Sequence, residues 1–231
     1  MHPPPPPPPP GAHLETIAMV PEPQASPLLV MMNIINSLTH MLLGAVACSS
    51  FILVQLGLWS ASFSQHVYLC VTGYIILMSV AIMSYDPNTS WSRHLKYQEK
   101  KTSHILLQIV GSVLAITGSI IRIKNLNTNF ETTHGILGLV AMILTMMSLI
   151  GGLINLFLSG SKNSLLLKTV HSCVGSLALV IAFICLCFGF DNVYRAIFGN
   201  AAANMSISFT IFALVGVLLP PVVNTFNRIF N

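Results

Sequence analysis

Long apolar stretches alternate with short polar loops along most of this chain. Each stretch approaches the roughly 20 residues that a helix needs to cross the hydrocarbon core of a bilayer. Six can be placed, at residues 34–58, 67–84, 103–121, 135–156, 169–190 and 205–223. No strict alternation of apolar and polar residues recurs at the spacing typical of a membrane β-barrel. The pattern predicts an all-α fold, a polytopic membrane bundle of six transmembrane helices.

Composition separates this apolar part from the N-terminal residues. Only 7% of the residues are charged, against about 25% in soluble domains, so we expect residues 28–231 to form a transmembrane domain in a lipid bilayer. Residues 1–27 include eight consecutive prolines, Pro3 to Pro10. A tract of this kind favours a solvated polyproline-II conformation. The sequence therefore predicts a disordered, proline-rich cytosolic tail.

The basic residues of the loops predict the orientation of the chain. One side carries seven, which are Arg93, Lys96, Lys100, Lys101, Lys162, Lys168 and Arg228, and the other carries three, which are Arg122, Lys124 and Arg195. The positive-inside rule then places both termini in the cytosol. The sequence leaves open whether the membrane is the plasma membrane or an endomembrane such as the ER or a vesicle, and whether the chain forms a homodimer. Nothing in it suggests nucleic-acid binding.

Four histidines stand at the starts of four consecutive predicted helices. They are His66, His104, His134 and His171. An ionisable group in hydrocarbon costs several kcal/mol unless it is paired or coordinating, so a shared ligand is expected. Alternate helices run in the same direction, which puts His66 and His134 near the outer face and His104 and His171 near the cytosolic face. The two depths lie roughly 20 Å apart at the rise of an α-helix.

This pairing favours haem over other metal groups. Zinc or copper would need three or four ligands that converge on one point, whereas the iron of a haem b takes two axial ligands from the protein. Iron with two histidine ligands has no open position for dioxygen, so its chemistry is electron transfer. We predict two haems b held by the central four helices, an outer one bound by His66 and His134 and an inner one bound by His104 and His171.

Glycines recur at fixed offsets from these histidines. Gly73 and Gly111 follow the first two histidines by seven residues, and Gly138 and Gly175 follow the last two by four. Offsets of four and seven stay on one face of a helix. We therefore expect all four glycines to make room for the flat porphyrins.

The segments around the histidines resemble the cytochrome b561 family, in particular the shorter cytochrome b561 domain-containing proteins. They read SQHVY, KKTSHILLQ, ETTHGILGL and LKTVHSCVG, and the six-helix pattern spans roughly residues 34–228. The resemblance implies an ascorbate-dependent transmembrane oxidoreductase that passes electrons from cytosolic ascorbate to monodehydroascorbate or ferric iron. Two features depart from many relatives: Val67 replaces a proline after His66, and SYDPNTSWSRHLKYQEKK replaces an arginine-rich motif at the end of the second helix.

Lysines near the inner histidines are candidates for binding ascorbate. Lys101 and Lys168 each stand three residues before an inner histidine, and Lys100 adjoins the first of them. An ammonium group one turn towards the cytosol could hold the ascorbate anion, and Lys101 matches a lysine that contacts ascorbate in the family. Ordinary anchoring at the membrane surface is the alternative role for such lysines.

Two further residues are candidates for less specific reasons. Glu131 stands three residues before the histidine of the fourth helix, and its carboxylate is a hard oxygen ligand suited to a ferric acceptor on the outer side. His40 lies inside the first predicted helix and has no partner at its depth. We expect it to bond a haem propionate or to pack against a neighbouring helix.

Two other function classes remain open at this point. One is a haem-bearing membrane anchor that passes electrons to quinone for a partner enzyme. The other is a transporter or scaffold without haem, whose histidines pack or bind a solute. Reduction by ascorbate separates the first from the family function, and the presence of haem excludes the second.

Overall fold

A computed structural model describes residues 2–4, 27–85, 91–158 and 164–230 of the chain. The described residues are helices and short connections, with no β-strand among them, which confirms the predicted all-helical class. The predicted tail, residues 1–27, lies almost entirely outside the described residues. So do Lys162 and the side chain of Arg228, which contributed to the predicted orientation.

The described chain forms six helical segments separated by short turns. They are α1 Pro27–Gln55, α2 Ala61–Met83, α3 Tyr97–Lys124, α4 Thr133–Phe157, α5 Ser164–Gly189 and α6 Arg195–Phe230. Within α2, Val71–Met78 is π-helical, and a second π-helical turn, Phe190–Tyr194, joins α5 to α6. All six begin two to ten residues before the predicted apolar stretch, because residues outside the hydrocarbon core still continue the helix.

Five segments of the described chain are long and apolar enough to cross a membrane. Four are α1, α2, α3 and α4, and the fifth runs for 58 residues, Leu165–Val222, because α5 continues through the π-helical turn into α6. At Gly199 the backbone leaves helical geometry, with φ 82° and ψ 177°, a conformation that glycine adopts without strain. Helices α5 and α6 contact each other.

Polar residues fix the starts of three of the helices that carry the four histidines. The Ser60 hydroxyl accepts a hydrogen bond from the Phe63 amide at 3.3 Å, before α2. The Glu99 carboxylate accepts one from the Lys96 amide at 2.7 Å at the start of α3, and the Thr132 hydroxyl one from the Gly135 amide at 3.1 Å at α4. Such caps satisfy amides that have no partner within the helix.

The helices pack as α2 on α3, α4 on α5 and α1 on α6. At Gly73 a Cβ atom would lie 2.6 Å from the carbonyl oxygen of Gly111, so α2 and α3 touch backbone to backbone. Gly216 of α6 likewise lies directly against Thr39 of α1. Small residues allow such close approach in membrane bundles. The expectation that Gly73 and Gly111 make room for a porphyrin was wrong, because each is covered by the neighbouring helix.

Candidate functional site

The four histidines come together in two pairs, each of which joins two helices. The rings of His66 of α2 and His134 of α4 have centres 6.1 Å apart and planes at 85°. The rings of His104 of α3 and His171 of α5 have centres 6.4 Å apart and planes at 84°. Two copies of nearly the same arrangement therefore stand at different depths of the bundle.

These separations fit a metal ion between the two rings. A histidine nitrogen lies about 2.0 Å from a bound metal and about 1.1 Å from the centre of its own ring, so two histidines on opposite sides of one ion have ring centres about 6 Å apart. Rings joined by a direct hydrogen bond would have centres only about 5 Å apart. The observed distances leave room for an ion but are too long for direct bonding.

The second nitrogen of each ring is engaged in the same way in all four cases. Each Nδ1 lies within hydrogen-bond distance of a backbone carbonyl on the adjacent helix: His66 with Gly118 at 3.2 Å, His104 with Ala81 at 2.9 Å, His134 with Cys185 at 2.8 Å and His171 with Ser148 at 3.1 Å. A carbonyl only accepts, so Nδ1 donates its proton and Nε2 keeps a free lone pair. This is the tautomer that a metal-binding histidine adopts.

The hydrogen bonds also run reciprocally between paired helices. The histidine of α2 donates to α3 while that of α3 donates to α2, and α4 and α5 exchange bonds in the same manner. Each helix pair thereby fixes the ring orientation of one ligand at each depth. The sequence could not reveal these acceptors, since any residue supplies a carbonyl.

A cavity opens at each histidine pair. The cavity at His66 and His134 has a volume of about 480 Å³, and the cavity at His104 and His171 about 980 Å³. Both fall in the range of roughly 300–1,000 Å³ that is usual for ligand and cofactor sites. No described residue lines both cavities, so they are separate compartments.

The histidine pairs suit haem iron better than other metal ions. Across the described ranges, no three His, Cys, Asp or Glu side chains converge on one point. Each pair offers two nitrogen ligands, which is the number that the iron of a six-coordinate haem takes from the protein. The residues present therefore fit one haem b at each cavity.

Two of the four expected glycines line the cavities, and other glycines contact the histidines. Gly138 lines the smaller cavity and Gly175 the larger one, so their expected role beside the porphyrins stays a prediction. Two others were missed: a Cβ atom at Gly152 would lie 3.0 Å from Cε1 of His171, and one at Gly189 would lie 3.4 Å from Cε1 of His134. Both stand on a helix that faces the histidine rather than on the histidine's own helix, so no offset along the sequence could identify them.

The predicted lysines gather at the larger cavity. Lys100, Lys101 and Lys168 all line it together with His104 and His171. They come from two helices and give one end of the cavity a positive charge, which attracts anions.

Other polar and aromatic residues of the larger cavity were missed by sequence reasoning. They are Tyr85, Tyr97, Gln108 and Asn155. The Tyr85 ring centre lies 5.0 Å from that of His104. The only sequence signal for Tyr85 is its place at the end of the second predicted helix.

Glu131 lines the smaller cavity, as does Arg122. The Glu131 carboxylate accepts a hydrogen bond from the Thr128 hydroxyl at 3.1 Å, and the Arg122 guanidinium lies 5.3 Å from the centre of the Phe63 ring. In the sequence analysis Arg122 was only one of the basic loop residues that predict the orientation of the chain in the membrane. In the fold it brings a cation to the same cavity as the predicted carboxylate.

His40 lies apart from both cavities. Its Nδ1 is 2.9 Å from the Asn36 carbonyl one turn earlier on α1, and it is not among the residues that line either cavity. Of its two expected roles, packing within the helical bundle is the one that this position favours.

Comparison with known proteins adds one finding. The family model of eukaryotic cytochrome b561 matches residues 65–199, more than half of the 231-residue chain and a range that contains all four histidines. No curated protein and no solved structure is similar enough to count as a match.

Proposed function

The chain belongs to the eukaryotic cytochrome b561 family, whose activity is transmembrane electron transfer, and from this premise we propose that it carries electrons from cytosolic ascorbate through two haems b to an acceptor on the other side. The observation that carries the proposal is the pair of histidine sites, with ring centres 6.1 and 6.4 Å apart and every Nδ1 turned to a carbonyl.

The protein's part is to hold and separate the two cofactors. His66 and His134 would bind one haem b, and His104 and His171 the other. When bound, haem supplies a one-electron carrier with no open coordination position. The carbonyl bonds would keep each imidazole in the ligand tautomer.

Six crossings, rather than five, suit this function. A continuous helix of 58 residues would extend about 87 Å at the α-helical rise, nearly three times the thickness of the hydrocarbon core, which is about 30 Å. The break at Gly199 and the contact of α5 with α6 support two crossings. An even number of crossings returns the C-terminus to the side of the N-terminus, and the positive-inside rule makes that side cytosolic.

The donor site would lie at the lysine-rich end of the larger cavity. Lys101, Lys100 and Lys168 stand where the predicted cytosolic loops enter the bundle. Ascorbate is an anion at neutral pH, so these ammonium groups would attract it to the cavity that holds His104 and His171. There it would give up one electron to the site of His104 and His171, release one proton to the cytosolic water and become monodehydroascorbate.

The acceptor would be reduced at the smaller cavity. Arg122 suits an anion such as monodehydroascorbate, whereas the Glu131 carboxylate suits ferric iron. Because both line the cavity, we keep both acceptors, and with them the two reductase activities of the family.

A haem assay on the purified protein tests the proposal. We expect a pyridine haemochromogen ratio near two haems per chain and reduction of the spectrum by ascorbate. A quinone-linked anchor would show the spectrum but would not turn over with ascorbate alone. Folded protein with no haem would overturn the proposal and leave a transporter or scaffold.

A further inference from the structure

One hydrogen bond joins the walls of the two cavities. Tyr74 lines the smaller cavity and Thr145 lines the larger one, and their hydroxyl oxygens are 3.1 Å apart. Tyr74 is 7% exposed and Thr145 is fully buried. The bond therefore spans the partition between the two compartments.

The direction of this hydrogen bond follows from the other contact of Thr145. The Thr145 hydroxyl donates to the Ala141 carbonyl at 2.8 Å. A hydroxyl has one proton, so Thr145 must accept from Tyr74, and the phenol is the donor. Both polar groups are thus satisfied inside an apolar bundle, as buried groups need to be.

The pair lies between the two histidine sites along both helices. On α2, Tyr74 comes eight residues after His66 and seven before Ala81, the carbonyl acceptor of the other site. On α4, Thr145 comes one turn before Ser148, which is the acceptor for His171. Counted in helical rise, the Tyr74 backbone is about halfway between the sites.

The local backbone conformation of α2 positions the Tyr74 side chain towards α4. Tyr74 belongs to the π-helical stretch Val71–Met78, and such stretches often mark functional positions in helices. The Ser79 hydroxyl donates to the Tyr74 carbonyl at 3.1 Å, which stabilises the wider turn. Gly73 is pressed against Gly111 of α3, so α2 cannot rotate there without a clash.

We propose that Tyr74 and Thr145 form the electronic coupling bridge between the two haem sites. Electron tunnelling falls off less steeply through bonds and hydrogen bonds than across gaps between unbonded atoms, so two bonded hydroxyls shorten the effective path. With haem bound at both sites, one electron would pass from the site held by His104 and His171, which is oxidised, to the site held by His66 and His134, which is reduced. Tyr74 keeps its proton and is itself neither oxidised nor reduced. This inference rests on the proposed function.

The test measures electron exchange between the haems in detergent-purified holoprotein. After a light-driven one-electron reduction, the redistribution between the haems is followed at wavelengths that separate them. We expect Tyr74→Phe and Thr145→Val to slow redistribution several-fold, with unchanged midpoint potentials, and the double variant to be no slower than either single one. Thr145→Ser keeps the hydroxyl and should retain the wild-type rate. Tyr194→Phe is the matched control, because Tyr194 is also 7% exposed and lines neither cavity.

A second measurement reads the hydrogen bond itself. The tyrosine C–O stretching band in infrared difference spectra should shift in Thr145→Val but not in Thr145→Ser. If Tyr74→Phe does not assemble, the Val and Ser variants of Thr145 alone decide the matter. Wild-type rates in both Tyr74→Phe and Thr145→Val would overturn the bridge, as would slowing that is explained entirely by shifted midpoint potentials. If the protein binds two haems, either of these results overturns only the bridge and leaves the proposed function intact. Wild-type protein that lacks two haems would instead refute the proposed function itself.

Discussion

Gly152 of α4 lies against the ring of His171, and adding one methyl group there is expected to weaken haem binding at the larger cavity. The new Cβ atom would stand 3.0 Å from Cε1 of the ring, whereas unbonded carbons prefer about 3.5–4.0 Å. The ring would have to move by about half an ångström. Its Nδ1 is held at 3.1 Å by the Ser148 carbonyl, so the shift must strain either that bond or the bond to iron.

The size of the effect follows from how tightly metal ligands are positioned. Ligand distances in metal sites vary by only about 0.2 Å, and disturbing the support of a ligating histidine typically costs 10- to 100-fold in metal affinity. We therefore expect Gly152→Ala to weaken haem binding about 10- to 100-fold, which is about 1.4–2.8 kcal/mol. The haem at His66 and His134 should remain.

Gly151→Ala is the matched control, because its Cβ atom would be 3.8 Å from Nδ1 of His171, an ordinary contact. Both substitutions raise helix propensity by up to about 1 kcal/mol, so neither should unfold α4. Titration of haem into the apoprotein, followed by absorbance, gives the two affinities. Two haems bound to Gly152→Ala as tightly as in wild type, or an equal loss in Gly151→Ala, would refute the reasoning.

Three further predictions follow from the same geometry. His104→Ala should remove one haem together with reduction by ascorbate, while His66→Ala should leave reduction of the remaining haem by ascorbate intact. Loss of that reduction in a folded His66→Ala protein would contradict the assignment of the two sites. Lys101→Glu should slow reduction by ascorbate far more than by dithionite, and the wild-type rate should fall with added salt, since the attraction is screened over about 10 Å at 0.1 M; an unchanged ascorbate rate would make Lys101 a simple membrane anchor. Gly73→Val should lower the free energy of unfolding by about 1–3 kcal/mol, because the new side chain would meet the backbone of Gly111. Loss of haem without loss of stability would instead support the porphyrin role first expected for Gly73.

The helical bundle and the pairing of the histidines could be predicted from the sequence because both depend on position along the membrane normal. Hydropathy locates each crossing, and the constant rise of an α-helix converts residue number into depth. His66 and His134 thus fall at one depth and His104 and His171 at another, whatever the rotation of their helices. The gathering of Lys101 and Lys168 at one cavity follows from the same argument.

Which residues of one helix contact which residues of its neighbours could be decided only by the tertiary structure. Gly73 and Gly111 share a helix face with their histidines by count, but close packing of α2 on α3 covers that face, and the π-helical stretch changes the register of α2 beyond Val71. The contact of Gly152 with His171 and the bond from Tyr74 to Thr145 each depend on how two different helices are placed against each other. Depth is a local property of each helix, whereas its rotation and distance from its neighbours are set by side-chain volumes on both partners together.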